Sequence, residues 1–156
     1  MKKSNLFSWL SSFAAVAFCI TLTSFAFRGA HSVQIFLDSK LLVEQYINSK
    51  NDAPKIALGS SEQRGQLIVK YNECGRTVTG RKITLKDGTD KVLKEWKFEG
   101  SSTGFEGSMT CPIKEILALA QKGGNSLKLY YSSAQFPEGY KIAYLNIENP
   151  TTTASK

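Results

Sequence analysis

Two alternating runs flank an Asp-Gly turn in the middle of this chain, and they limit the folds open to it. Arg81-Lys82-Ile83-Thr84-Leu85-Lys86 leads into Asp87-Gly88-Thr89-Asp90, and Lys91-Val92-Leu93-Lys94-Glu95-Trp96-Lys97-Phe98 leads out. Period-two alternation around such a turn is the signature of a β-hairpin. The loop can be two residues (Asp87-Gly88) or four (Asp87 to Asp90). Either way Ile83 and Leu85 share a face with Val92, Trp96 and Phe98, because the two registers differ by two residues. Lys82, Thr84, Lys86, Glu95 and Lys97 then line the opposite face with Leu93. A strand pair with one apolar face needs a second layer to cover it.

The rest of the chain supplies that layer. Ser32 to Leu37 and Leu41 to Ile47 form an N-terminal hairpin across Asp38-Ser39-Lys40, and Pro54 to Leu58 reads as a short edge strand, since a proline is tolerated at a strand's first position. Gln66 to Tyr71 puts Leu67, Val69 and Tyr71 on one face, as a core strand does. Phe105 to Met109 reads as one more short strand. Pro112 suits the first position of a helix in which Ile113, Ile116, Leu117 and Ala120 recur at helical spacing and Gly123-Gly124 marks the end. Leu127 to Tyr131 and Tyr140 to Ile147 complete about eight strands. With one short helix and no βαβ rhythm, the expected class is all-β: an antiparallel β-sandwich, immunoglobulin-like, over residues 32–148.

Both ends depart from this pattern. Lys2 and Lys3 precede an uncharged stretch from Ser4 to Phe27, the layout of an export signal. Ser24-Phe25-Ala26 places small residues at the −3 and −1 positions, so residues 1–26 are expected to be a signal peptide cleaved after Ala26. Ser8, Ser11, Ser12, Thr21, Thr23 and Ser24 dilute the stretch and weigh against a retained membrane anchor, so the remaining chain is not expected to be membrane-integral. Residues 149–156 read as a disordered tail. The expected address is secreted or periplasmic.

In an oxidising compartment an even cysteine count favours a disulfide. Cys19 lies in the signal, which leaves Cys74 and Cys111, and the expectation is that they are bonded. Closing that loop would contribute roughly 3 to 4 kcal/mol in the chain-entropy model.

Catalytic chemistry is tested by elimination. His31 is the only histidine of 156 residues and stands beside the processing site, so neither a nucleophilic triad nor a zinc site from His and Cys assembles readily. Cys-X-X-Cys, Walker and dinucleotide patterns are missing. No enzyme activity, cofactor or metal is therefore expected. Paired carboxylates are the remaining route to a small hydrolase, with Glu44 and Glu73, or Glu99 and Glu106, as the pairs to check.

Binding is the use left for such a scaffold. Net charge is +7 and a run of basic residues from Arg76 to Lys97 could draw an acidic polymer, but five acids within and beside it (Glu73, Asp87, Asp90, Glu95 and Glu99) make a mixed-charge face the simpler reading. Nucleic acid is not an expected partner of an exported domain. Tyr130, Phe136 and Tyr140 cluster around one loop and are the candidate binding residues. The expected function is contact with a protein partner, as a subunit or accessory factor of an envelope or cell-surface assembly, with glycan or envelope-polymer binding as the alternative.

Overall fold

A computed structural model describes residues 31–47 and 52–148 of the chain. The expected signal peptide, its cleavage site and the expected tail lie outside the described residues. What is described is mostly β, with several antiparallel pairings and one α-helix. In chain order the elements are β1 (His31–Leu37), β2 (Lys40–Ile47), β3 (Lys55–Gly59), a single 3-10 turn (Ser60–Glu62), β4 (Gln66–Glu73), β5 (Thr77–Val78), β6 (Arg81–Lys86), β7 (Val92–Phe98), β8 (Ser102–Thr103), β9 (Ser108–Pro112), α1 (Ile113–Gly123), β10 (Ser126–Ser132) and β11 (Tyr140–Glu148).

The strands form a four-stranded sheet in the order β2-β1-β4-β9, a five-stranded sheet in the order β3-β11-β10-β6-β7, and a two-stranded β5-β8 ribbon. The two larger sheets are open, with β2 and β9 at the edges of one and β3 and β7 at the edges of the other. Alternation decides what each buries. Val33, Ile35, Leu67, Val69 and Met109 from the first sheet join Ile83, Leu85, Leu127, Leu129 and Leu145 from the second in one apolar cluster, each fully shielded from solvent. Burying a side chain of this size contributes about 1.5–3 kcal/mol. Helix α1 adds Ile113, Ile116 and Ala120 to the same cluster, the i, i+3, i+7 stripe of an amphipathic helix.

Several expectations need correction. Among the described residues eleven strands stand where about eight were expected, because the two-residue strands β5 and β8 carry no alternation to read. The pairing is not wholly antiparallel: β3 lies parallel to β11, with Ile56 opposite Leu145. The strand expected over Phe105 to Met109 lies at Ser108–Pro112, and Pro112 is the extended N-cap of α1 rather than its first helical residue. In the central hairpin the loop is longer than either option. Asp87 N–H donates to the Lys91 carbonyl, and Asp87 Oδ1 accepts from the backbone of both Thr89 and Lys91. Asp90, not Gly88, takes the left-handed conformation, at φ 68°. A bulge follows in which Lys86 pairs with Val92 and Leu85 with Lys94, leaving Leu93 as the extra residue. One inserted residue inverts the side-chain parity. Leu93 therefore packs against the core and touches α1 at Gly123, while Val92 is 50% exposed, the reverse of the expected placement.

The expected Cys74–Cys111 disulfide is not formed; both are free thiols. Topology is the reason. Cys111 pairs with Leu67 near one end of β4, and Cys74 follows Glu73 at the other. At about 3.3 Å per residue that separates them by roughly 20 Å, far beyond the reach of a disulfide. Cys111 is buried in the core, and burial pushes its thiol pKa up to about 12.

Candidate binding surfaces

The loop between β10 and β11 is built to hold two aromatic rings together. Ser133 and Phe136 exchange backbone hydrogen bonds, and the Ser133 hydroxyl also accepts from Phe136 N–H at 3.1 Å. Ala134 N–H ties the loop to the Thr79 carbonyl. Gly139 returns the chain to β11 at φ 70°, where a Cβ would stand 2.5 Å from the Tyr131 carbonyl oxygen. Only glycine fits there. The outcome is that Phe136 and Tyr140 stack with ring centroids 4.3 Å apart, both half-buried.

His31 completes this cluster, its ring 5.3 Å from Tyr140 and 5.8 Å from Tyr71. Tyr71 stacks in turn on Tyr131 at 3.9 Å. Behind the rings lies a buried polar contact: Tyr131 Oη donates to Glu73 Oε1 at 2.9 Å, with Glu73 only 4% exposed. Burial raises the phenol pKa of both Tyr71 and Tyr131, and for Tyr131 the Glu73 carboxylate adds to the effect. Both phenols are thus protonated at neutral pH, with Tyr131 the donor to Glu73 and Tyr71 3.3 Å from His31 Nδ1. Arg81, also buried, donates from Nη1 to the Gly107 carbonyl, which lies close because glycine leaves the space open.

Tyr130 is not part of this cluster. It neighbours Tyr131 in sequence and so projects from the opposite face of β10, where Lys86 Nζ lies 4.3 Å from its ring centroid. Of the three candidate residues the structure brings Phe136 and Tyr140 together and sends Tyr130 elsewhere. His31 was missed as a member. Its signal was present, since it shares the parity of Val33 and Ile35, which face the core.

The members of the two carboxylate pairs sit as follows. Glu44 hydrogen-bonds Gln34 on the exposed face of the four-stranded sheet, whereas Glu73 points to the buried face. Glu99 and Glu106 are both exposed in loops. A surface hollow of about 470 Å³ is lined by Gln63, Arg64, Gly65, Gln66, Pro112 and Lys114, without an acid. Among the described residues no group of three His, Cys, Asp or Glu side chains is placed to hold a metal ion. No described helix is long and apolar enough to cross a membrane.

The sheet edges differ in how they are guarded. Charged side chains, prolines and short length keep free strand edges from pairing with other chains. Edge β7 carries Lys94, Glu95 and Lys97, all exposed; β3 and β9 are five residues each, one preceded by Pro54 and the other ending on Pro112. Edge β2 is eight residues long with only Lys40 and Glu44 charged and one bulge, at Leu42, and it exposes Tyr46 at 68% and Leu41 at 45%. Leu41 lies opposite Phe36, which lies opposite Ile68, so an apolar row continues from this edge across the sheet.

No protein-family model matches this chain, and no curated protein is similar to it.

Proposed function

We propose that this chain is an exported, non-catalytic domain in which the four- and five-stranded sheets face each other as an immunoglobulin-like sandwich. It works by protein contact, as a subunit or accessory factor of a periplasmic envelope or cell-surface assembly, and its partner pairs along β2. The observation that carries this reading is the long, lightly charged β2 edge, which no other described strand covers, with Leu41 and Tyr46 exposed on it. An added strand would satisfy a row of free backbone groups and cover the apolar row beside it. The single cluster shared by both sheets supports the layered arrangement. Phe136 and Tyr140 are too deeply engaged with His31 to offer two free rings to a sugar, which weighs against a glycan site at that loop.

The test is co-purification from the native envelope with identification by mass spectrometry. Tyr46→Lys with Leu41→Lys places charges on the open edge and should abolish recovery of a stoichiometric polypeptide. Val92→Lys, on the far sheet, should not. Equal recovery with all variants would overturn the assignment of β2 as the contact edge.

A further inference from the structure

The outward face of the five-stranded sheet gathers lysines that are scattered in sequence. One row of paired residues crosses four strands as Lys55, Tyr144, Lys128 and Lys86. The next row holds Lys141, Tyr130, Thr84 and Glu95, and a third pairs Lys82 with Lys97. Six lysines thus share one face with two strand carboxylates, Glu95 and, at the end of β11, Glu148. With strands about 4.8 Å apart, the first row spans roughly 14 Å. That is a ladder of positive charge lying across the strands.

Partners within the sheet account for only part of this charge. Glu95 bonds Lys82 at 3.3 Å, and Asp90 in the hairpin loop bonds Lys128 at 3.0 Å. Lys86 Nζ lies over the Tyr130 ring and Lys141 Nζ by the Tyr144 ring, each 4.3 Å from the centroid, and Lys141 Nζ also donates to Tyr144 Oη; Asp90 and Asp52 act on these two ammonium groups only at longer range, outside ion-pair distance. Lys55 and Lys97 have no ion pair among the described residues.

We propose that this face binds a linear acidic polysaccharide, with its anionic groups laid along the Lys55–Lys128–Lys86 row. Three features select that occupant. Every cation on the face is lysine, a compact point charge, and none is the planar arginine fork that grips phosphate by two bonds. The rings of Tyr130 and Tyr144 are already capped by ammonium groups and so are not free platforms for nucleic-acid bases. Among the large apolar side chains only Val92, at the rim, is exposed here, too little to enter a lipid bilayer. This site is distinct from the β2 edge, and it stands or falls separately from the proposed protein contact.

The probe is sodium polygalacturonate, titrated into the purified chain by calorimetry at about 20 mM and about 150 mM salt, alongside a thymidine oligonucleotide and phosphatidylglycerol vesicles. Lys55→Gln, Lys86→Gln and Lys141→Gln are combined in one variant, since none of the three is ion-paired to a carboxylate and their loss leaves no acid unpartnered. Lys40→Gln, Lys114→Gln and Lys122→Gln make a control of identical net charge. The proposal expects binding that weakens with salt, at least tenfold further weakening in the first variant, less than twofold in the control, and retention when the three sites carry arginine. It is overturned if polygalacturonate does not bind at low salt or if the two glutamine variants weaken it equally. Tighter binding of the oligonucleotide or the vesicles would also overturn it.

Discussion

Removing one hydroxyl group should expose how much the buried polar contact beneath the aromatic cluster contributes to stability. Tyr131 is fully buried, and its Oη is the hydrogen-bond donor to Glu73, itself 4% exposed. Tyr131→Phe keeps the ring and its 3.9 Å stack on Tyr71, so the perturbation is confined to the contacts of one hydroxyl, its bond to Glu73 above all and the Ser133 side chain beside it, and to the carboxylate it leaves behind. A bond to a charged group is worth about 1.5–3 kcal/mol, and stranding a buried acceptor adds to that loss, so a cost of about 2–3 kcal/mol is expected. Urea denaturation with an m-value of about 2 kcal/mol per molar would show the midpoint falling by about 1–1.5 M with the slope unchanged. Glu73→Gln in the Tyr131→Phe background removes the charge that was stranded and should recover part of the loss. A midpoint shift below about 0.3 M for Tyr131→Phe would refute the reasoning, because it would mean that the carboxylate finds an equally good donor elsewhere.

Further expectations follow from single positions. Gly139→Ala combines a left-handed φ with a Cβ 2.5 Å from a carbonyl oxygen and should cost at least about 2 kcal/mol, whereas Gly104→Ala, at φ 57° with open space around it, should cost about 1 kcal/mol, both read by thermal melts. Alkylation under native conditions followed by peptide mapping should label half-exposed Cys74 and leave buried Cys111 unlabelled until urea is added, with no Cys74–Cys111 cross-linked peptide. Stability should fall as pH rises above about 9, because the unfolded chain loses the Cys111 proton that the folded chain retains up to about 12. The loss from this thiol is roughly 2 kcal/mol at pH 10.5, and Cys111→Ala should flatten that part of the profile while leaving the further decline due to the Tyr71 and Tyr131 phenols.

How much of this could be read from the residues differs from element to element. Core strands were legible because period two is written into them: Leu67-Val69-Tyr71 and Leu127-Leu129-Tyr131 occupy the buried faces that their spacing implies. The α1 stripe was legible for the same reason at period 3.6. Pairing was not. Nothing in Pro54 to Leu58 reveals that its partner is β11 and runs parallel, since direction is fixed by how the chain travels between sheets. The bulge at Leu93 defeated a parity argument that was sound for an unbroken ladder. The cysteines show a related limit: their even count carried a compartment argument, while their separation along β4 is a property of the register of β9. At the candidate loop, Phe136 and Tyr140 were found by proximity in sequence, and Tyr130 was misplaced because proximity was allowed to outweigh the alternation of β10. The lysine face was the least visible of all, because Lys55, Lys86, Lys128 and Lys141 become neighbours only through pairing of four strands.

Amide hydrogen exchange on the chain isolated with its native partner, against the chain alone, addresses the assignment of β2 as the working surface most directly. The account predicts that amides within Lys40–Ile47 gain protection in the complex while those of β7 and β9 exchange as before. Protection appearing along β7 or β9 with β2 unchanged would contradict it.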